Sequence, residues 1–204
     1  MPKALAYGNS IELHTGILCI GGCDSIQCYN DVFQIQLIDG QIKIDTEWPS
    51  LPVPLANATA SLLGDKIYVA GGQKSMEKPE ATNYFFVLDL NSPNKGWKEL
   101  PSWPGEPRGY AVSTTQSDGF DKCFYLFSGR NYKADGYINT LTDGYAFNPR
   151  LNSWKKLKQS FPVMAGNALS CGANHILFLG GVPQLIPGSD DHPGFDNTIR
   201  LYHT

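Results

Sequence analysis

Three times in this chain a glycine pair, or in one case Ser-Gly, is followed at a nearly fixed interval by Trp-x-x-Leu. The second glycines Gly22, Gly72 and Gly129 precede Trp48, Trp97 and Trp154 by 26, 25 and 25 residues, and the tetrapeptides read Trp48-Pro-Ser-Leu51, Trp97-Lys-Glu-Leu100 and Trp154-Lys-Lys-Leu157. A fourth pair, Gly180-Gly181, projects a tryptophan near position 206, past Thr204. A period of this length marks one supersecondary unit repeated along the chain, whose copies must stack to bury their apolar faces.

The rest of each unit recurs in the same order. Pro2, Pro52, Pro107 and Pro162 open the units. Small-residue stretches follow, beginning at Ala6, Ala56, Gly109 and Ala165, and suit strands crowded round a central axis. Short apolar runs come next: Ile17–Ile20, Ile67–Ala70, Phe124–Phe127 and Ile176–Leu179. Continuous apolar runs bounded by turn residues predict strands buried on both faces. Third strands are expected at Val32–Leu37, Tyr84–Leu90, Gly144–Phe147 and Thr198–Tyr202, with fourth strands carrying the tryptophans. With 21 Gly and 14 Pro, the chain suits a turn-rich all-β architecture. Four strands per unit give an all-β, kelch-type β-propeller. Its blades span 1–50, 51–103, 104–160 and 161–204, the last incomplete, and the whole reads as about four blades of a longer propeller. Unclosed blade flanks would expose apolar surface, which predicts self-association through those edges.

The loop between second and third strands grows from 9 residues (Gly22 to Asp31) through 11 and 14 to 16 (Gly181 to Asn197). Variable loops on one face of a fixed scaffold are where binding sites usually sit. A net charge of −3 without a basic cluster argues against nucleic acid, and no stretch is apolar enough to span a membrane. The N-terminal heptapeptide Met1–Tyr7 lacks the apolar core of a signal peptide. The chain as given therefore reads as cytoplasmic, with a periplasmic location open if the natural start lies elsewhere. The five cysteines match no zinc spacing. Cys19, Cys123 and Cys171 read as small buried hydrophobes, while Cys23 and Cys28 either close a small loop disulfide or stay reduced.

Several short motifs carry a resemblance beyond the repeat. Leu51-Pro-Val-Pro54, Pro104-Gly-Glu-Pro-Arg108, Asn148-Pro-Arg-Leu-Asn-Ser-Trp154 and Met164-Ala-Gly166 with Gly180-Gly181-Val182 resemble, in this order, the N-acetylneuraminate epimerases, or sialate mutarotases. Residues 1–48 resemble the final blade of those enzymes moved to the front, as in cyclically permuted mutarotases, and the resemblance implies a six-bladed ring of which this chain carries about four blades. The resemblance implies interconversion of the α and β anomers of N-acetylneuraminate by ring opening and reclosure, with one group taking and another giving a proton. It implies a sugar-acid substrate and no metal or organic cofactor. It also assigns the family's usual acidic and arginine groups to blades after Thr204, leaving the catalytic residues unassigned. The competing reading is a kelch module that binds a protein or glycan without catalysis.

A carboxylate substrate calls for arginine, whose planar fork binds it through two hydrogen bonds. Arg108 and Arg130 are the candidates, each with the alternative of bracing a neighbouring blade through backbone carbonyls. Asn131 beside Arg130, and Asn167 on an innermost strand, are the polar candidates for the rest of the substrate. Asn9, Asn57 and Asn167 recur in three first strands and either line a polar channel or bond adjacent blades. Asn167 stands where the epimerases carry His, which weakens an acid–base role there. Glu106 is expected to pair with Arg108. Asp190, Asp191 and His192, with Asp196 nearby, form a titratable cluster in the longest loop, read mainly as solvated.

Overall fold

The computed structural model describes residues 3–78, 80–132, 138–158, 161–183 and 194–204. Strands β1 (Asn9–Leu13), β2 (Gly16–Ile20), β3 (Val32–Ile38) and β4 (Gln41–Asp45) form a first antiparallel meander. A second contains β5 (Thr59–Leu63), β6 (Lys66–Ala70), β7 (Phe85–Asp89) and β8 (Lys98–Glu99). The third joins β9 (Val112–Ser117) and β10 (Lys122–Phe127) to β13 (Gly144–Asn148) and β14 (Ser153–Lys156). Its loop holds a separate hairpin of β11 (Arg130–Tyr132) and β12 (Ile138–Thr140). The last sheet has three strands, β15 (Asn167–Cys171), β16 (His175–Leu179) and β17 (Arg200–His203). Among the described residues the one helical element is the short 3-10 turn Pro93–Lys95, and no helix is long and apolar enough to cross a membrane.

Each junction between consecutive sheets has its own apolar core. Ile11, Leu18 and Ile20 of the first sheet meet Ile67, Val69, Phe86 and Leu88 of the second. The other face of the second sheet, Tyr68 and Phe85, packs on Phe124, Phe147 and Trp154 of the third. Tyr125, Phe127 and Val112 in turn cover Ile176 and Phe178. The rings in the middle junction lie edge-on or tilted, Phe85 and Phe147 at 4.9 Å and 77° for example. Each such buried ring is worth roughly 1.5–3 kcal/mol over exposure. The middle sheets are buried on both faces, as their continuous apolar runs require.

The tryptophans clamp neighbours together. Trp97 Nε1 donates to the Pro49 carbonyl and Trp154 Nε1 to the Pro101 carbonyl, both at 2.8 Å. The second glycines work by absence of a side chain. A Cβ on Gly22, Gly72, Gly129 or Gly181 would meet the carbonyl oxygen of Ala6, Ala56, Gly109 or Met164 at 2.8–3.0 Å. Those carbonyls belong to the residues that bridge to Cys23, Gln73, Arg130 and Val182 just after each pair. Ser128, in the first-glycine position, sits at φ 55° and is held by its hydroxyl, which donates to Leu141 O and accepts from Val163 N–H, both at 2.9 Å.

The innermost strands start later than the small-residue stretches suggested. Tyr7, Asn57, Tyr110 and Ala165 adopt left-handed φ of 58°, 54°, 58° and 52°, which breaks the extended run two residues before each strand proper. Their backbones link the sheets. Asn57 N–H donates to Tyr7 O, Tyr110 N–H to Asn57 O and Ala165 N–H to Tyr110 O, at 2.8, 2.8 and 2.9 Å. The four strained residues thus form one hydrogen-bonded chain round the axis. Asn57 occupies this linking position, whereas Asn9 and Asn167 begin strands, so the three asparagines are not equivalent.

Candidate functional site

The innermost strands of all four sheets wall an open cavity of about 580 Å³ along the axis. Small side chains such as Ala58, Ala60, Ala111 and Gly166 leave the room, and Asn9, Asn57 and Asn167 contribute amides. Thr59, Ser61 and Ser113 bond one another at 2.7 and 2.8 Å, so part of the hydroxyl lining is already satisfied. Among the described lining residues the ionisable side chains are the phenols Tyr7 and Tyr110; there is no carboxylate, imidazole or cation on the wall. Such a surface can bind a polyhydroxylated molecule by neutral hydrogen bonds. It offers no obvious general acid–base pair.

Charge enters at the end marked by the left-handed residues. Gly109 and Arg130 pair through two backbone hydrogen bonds of 2.9 Å, which brings the start of β11 beside Tyr110. The Arg130 guanidinium stacks on the Tyr110 ring at 4.0 Å and lies 5.6 Å from that of Tyr132. Its Nε is buried without an acceptor, and no carboxylate among the described residues pairs with it. Stacking uses the face of the guanidinium and leaves its in-plane donors for a planar anion. Asn131 alternates to the other side of the strand. Its Nδ2 donates to the Glu106 carboxylate at 3.1 Å, while its Oδ1 is buried and unpartnered. Arg130 stands beside the cavity wall through Tyr110; Asn167 is on the wall itself and exposed.

Arg108 takes the bracing alternative. Its side chain is 0% exposed, and its guanidinium donates to Ser128 O at 2.9 Å and Glu106 O at 3.3 Å. Nη2 lies 3.0 Å from Asp143 Oδ1, a close ionic contact too bent to count as a hydrogen bond. Trp103 and Tyr145 stack at 5.4 and 5.3 Å. Burial pulls the guanidinium pKa down and the neighbouring Asp143 pushes it back up. A substrate carboxylate has no route to it. Glu106 is likewise not its ionic partner; it offers Arg108 a backbone carbonyl and gives its carboxylate to Asn131. The pairing of Arg108 with Asp143 was not legible in the sequence because the two are distant along the chain, while Gln73 is buried and donates to Met76 Sδ at 3.1 Å.

Asp190, Asp191 and His192 lie outside the described residues. Asp196 pairs with Arg200 and accepts from Thr198 N–H at 2.8 Å, which holds its carboxyl below the usual range. Among the described residues no group of three His, Cys, Asp or Glu side chains could hold a metal. Cys123 is buried as expected, but Cys19 is only half-buried and Cys171 is exposed at the end of β15, and Cys23 and Cys28 are free thiols.

A family model described as N-acetylneuraminate epimerase matches residues 48–188. The chain belongs to the N-acetylneuraminate epimerase family. The epimerase of Haemophilus influenzae (strain PittEE) is 34% identical over 140 residues, 66% of this chain and 33% of its own length. That of Escherichia coli (strain K12) is 30% identical over 139 residues, 68% of this chain and 35% of its own. A kelch domain-containing protein of Vibrio cholerae is 32% identical over 136 residues, 65% and 35% of the two chains. The solved structure of YjhT aligns with a TM-score of 0.53 at 26% identity, over 67% of this chain and 37% of its own. The chain thus spans about a third of the length of the epimerase-family relatives it matches, and shares their kelch β-propeller sheets.

Proposed function

We propose that these four sheets form the sugar-acid-binding side of a sialate mutarotase, a protein that interconverts the α and β anomers of N-acetylneuraminate. The carrying observation is Arg130: a cation stacked on Tyr110 at the cavity wall, with a buried Nε that nothing in the described structure accepts. In this reading Arg130 holds the substrate carboxylate through its free in-plane donors. Asn131, through its unpartnered Oδ1, and Asn167 on the wall receive the hydroxyl and amide groups. Anomer exchange opens the ring by removing the proton of the anomeric hydroxyl while protonating the ring oxygen, then reverses the roles. The wall's neutral chemistry supports assigning that proton pair to further sheets of a six-bladed ring, with the four here as blades 1–50, 51–103, 104–160 and 161–204. Those same sheets, or a second copy of the chain, would cover the apolar end faces.

Proton NMR of N-acetylneuraminate freshly released by a sialidase tests the reading. Binding to this chain, lost in Arg130→Met, and faster anomer exchange with the complete ring are expected. Unchanged exchange kinetics together with absent binding would defeat it. The lack of a carboxylate or imidazole on the described wall favours one second reading, a glycan-binding kelch module. Binding without any acceleration by the complete ring would select it.

A further inference from the structure

We propose that Cys23 and Cys28 form a reversible disulfide that staples the β2–β3 loop at the junction of the first two units. The two residues face each other across an antiparallel bridge. Two backbone bonds flank them: Tyr29 N–H donates to Gly22 O at 2.8 Å on one side, and Asp24 N–H to Gln27 O at 3.0 Å on the other. The cysteines are therefore the non-hydrogen-bonded pair of the ladder. Such pairs bring Cα atoms to about 4.5 Å with both side chains on one face, inside the roughly 4.4–6.8 Å that a disulfide spans. Both thiols are buried and cluster with Ala56. Cys19, Cys123 and Cys171 have no such partner, since each sits in or next to a strand of the sheets rather than in this loop.

The intervening turn is already fixed, so closure needs little rearrangement. The Asp24 carboxylate accepts from Ile26 N–H, Gln27 N–H and the Tyr29 hydroxyl at 2.7, 2.8 and 2.6 Å. The loop also clasps the second unit to the first. Gly22 N–H donates to Leu55 O at 2.8 Å, Leu55 N–H to Tyr29 O at 3.1 Å and Leu51 N–H to Asn30 O at 2.9 Å. Cross-linking Cys23 to Cys28 makes that clasp harder to open.

The oxidant is a low-molecular-weight disulfide such as oxidised glutathione. One protein thiolate attacks a reagent sulfur, forms a mixed disulfide and expels one reagent thiolate. The second protein thiolate then attacks the protein sulfur and expels the other. Two protons leave the cysteines, two electrons pass to the reagent, and it departs as two thiols. Burial pushes the Cys28 thiol up to about 11, so exchange requires transient opening of the loop and is slow.

Incubation of the chain across a series of oxidised-to-reduced glutathione ratios tests this, read by intact mass and by counting alkylatable thiols after unfolding in acid quench. The expected product is lighter by two hydrogens and retains three of the five thiols. Its thermal midpoint rises by roughly 4–8 °C, and dithiothreitol reverses both changes. Cys23→Ser and Cys28→Ser each abolish the two-hydrogen loss. Five alkylatable thiols at the most oxidising ratio, or a bridge that survives Cys28→Ser, would overturn the assignment. A bridge that forms without moving the thermal midpoint would overturn its role as a staple.

Discussion

Arg108 and Arg130 approach the same residue, Gly109, from opposite sides, yet the fold gives one a carboxylate partner and the other none among the described residues. Arg108 precedes Gly109 in the chain and points between sheets, where carbonyls and Asp143 absorb its charge. Arg130 pairs with Gly109 across a bridge and points over Tyr110 towards the axis, without an ionic partner among the described residues. A buried cation surrounded by its own chain's acceptors is a structural part. The same cation resting on an aromatic face beside a cavity is the one we propose to hold the substrate carboxylate.

The comparison can be broken most forcefully at Arg108. Replacing it with Met should cost about 3–5 kcal/mol, because Asp143 and the Ser128 carbonyl lose their partner in a dry site. Chemical denaturation measures it, and a loss below about 1 kcal/mol would show that the pair contributes only what its desolvation takes away. Arg130→Met should leave stability within about 1 kcal/mol but weaken sugar-acid binding by roughly 10–100-fold, the range for a lost charged hydrogen-bonding pair. Arg130→Lys, which keeps charge but not the fork, should fall between, and titration calorimetry distinguishes the three. Glu106→Gln keeps an acceptor for Asn131 Nδ2, so binding should change by less than about fivefold; a larger loss would make Glu106 a ligand in its own right.

The smallest effect concerns a third arginine. Arg150 is exposed and forks onto Asp121 at 2.7–3.1 Å, and this contact with the Asn148 amide holds the Asp121 carboxyl below its ordinary 3.8. A lowered carboxyl contributes stability above its unfolded value that disappears as pH falls through the folded one. Thermal melts between pH 5 and pH 2 should therefore lose slightly less stability in Asp121→Asn than in the parent chain. An identical acid limb would remove this pair from the account and leave Arg108 as the arginine that matters for folding.

Much of the scaffold was legible locally. The continuous runs Ile67–Ala70 and Phe124–Phe127 announced strands buried on both faces, and they are. The small residues Ala58, Ala60 and Ala111 announced a crowded axis, and they wall the cavity. Asn57 misled because a pattern of residue types does not reveal φ: at 54° it links sheets by its backbone, two positions out of phase with the strand-opening Asn9 and Asn167. Glu106 misled because nearness in sequence to Arg108 was taken as pairing, whereas the ionic partner, Asp143, arrives from another strand.

The repeat and the order of strands within each unit follow from local pattern along the chain. Strand alternation and the space left by a missing Cβ act between near neighbours and are written along the chain. Which carboxylate neutralises Arg108 and which amides meet the cavity emerge only when the sheets pack together. Those outcomes depend on desolvation and on partners brought together from separate sheets, and a guanidinium's pairing is fixed by what surrounds it rather than by what precedes it.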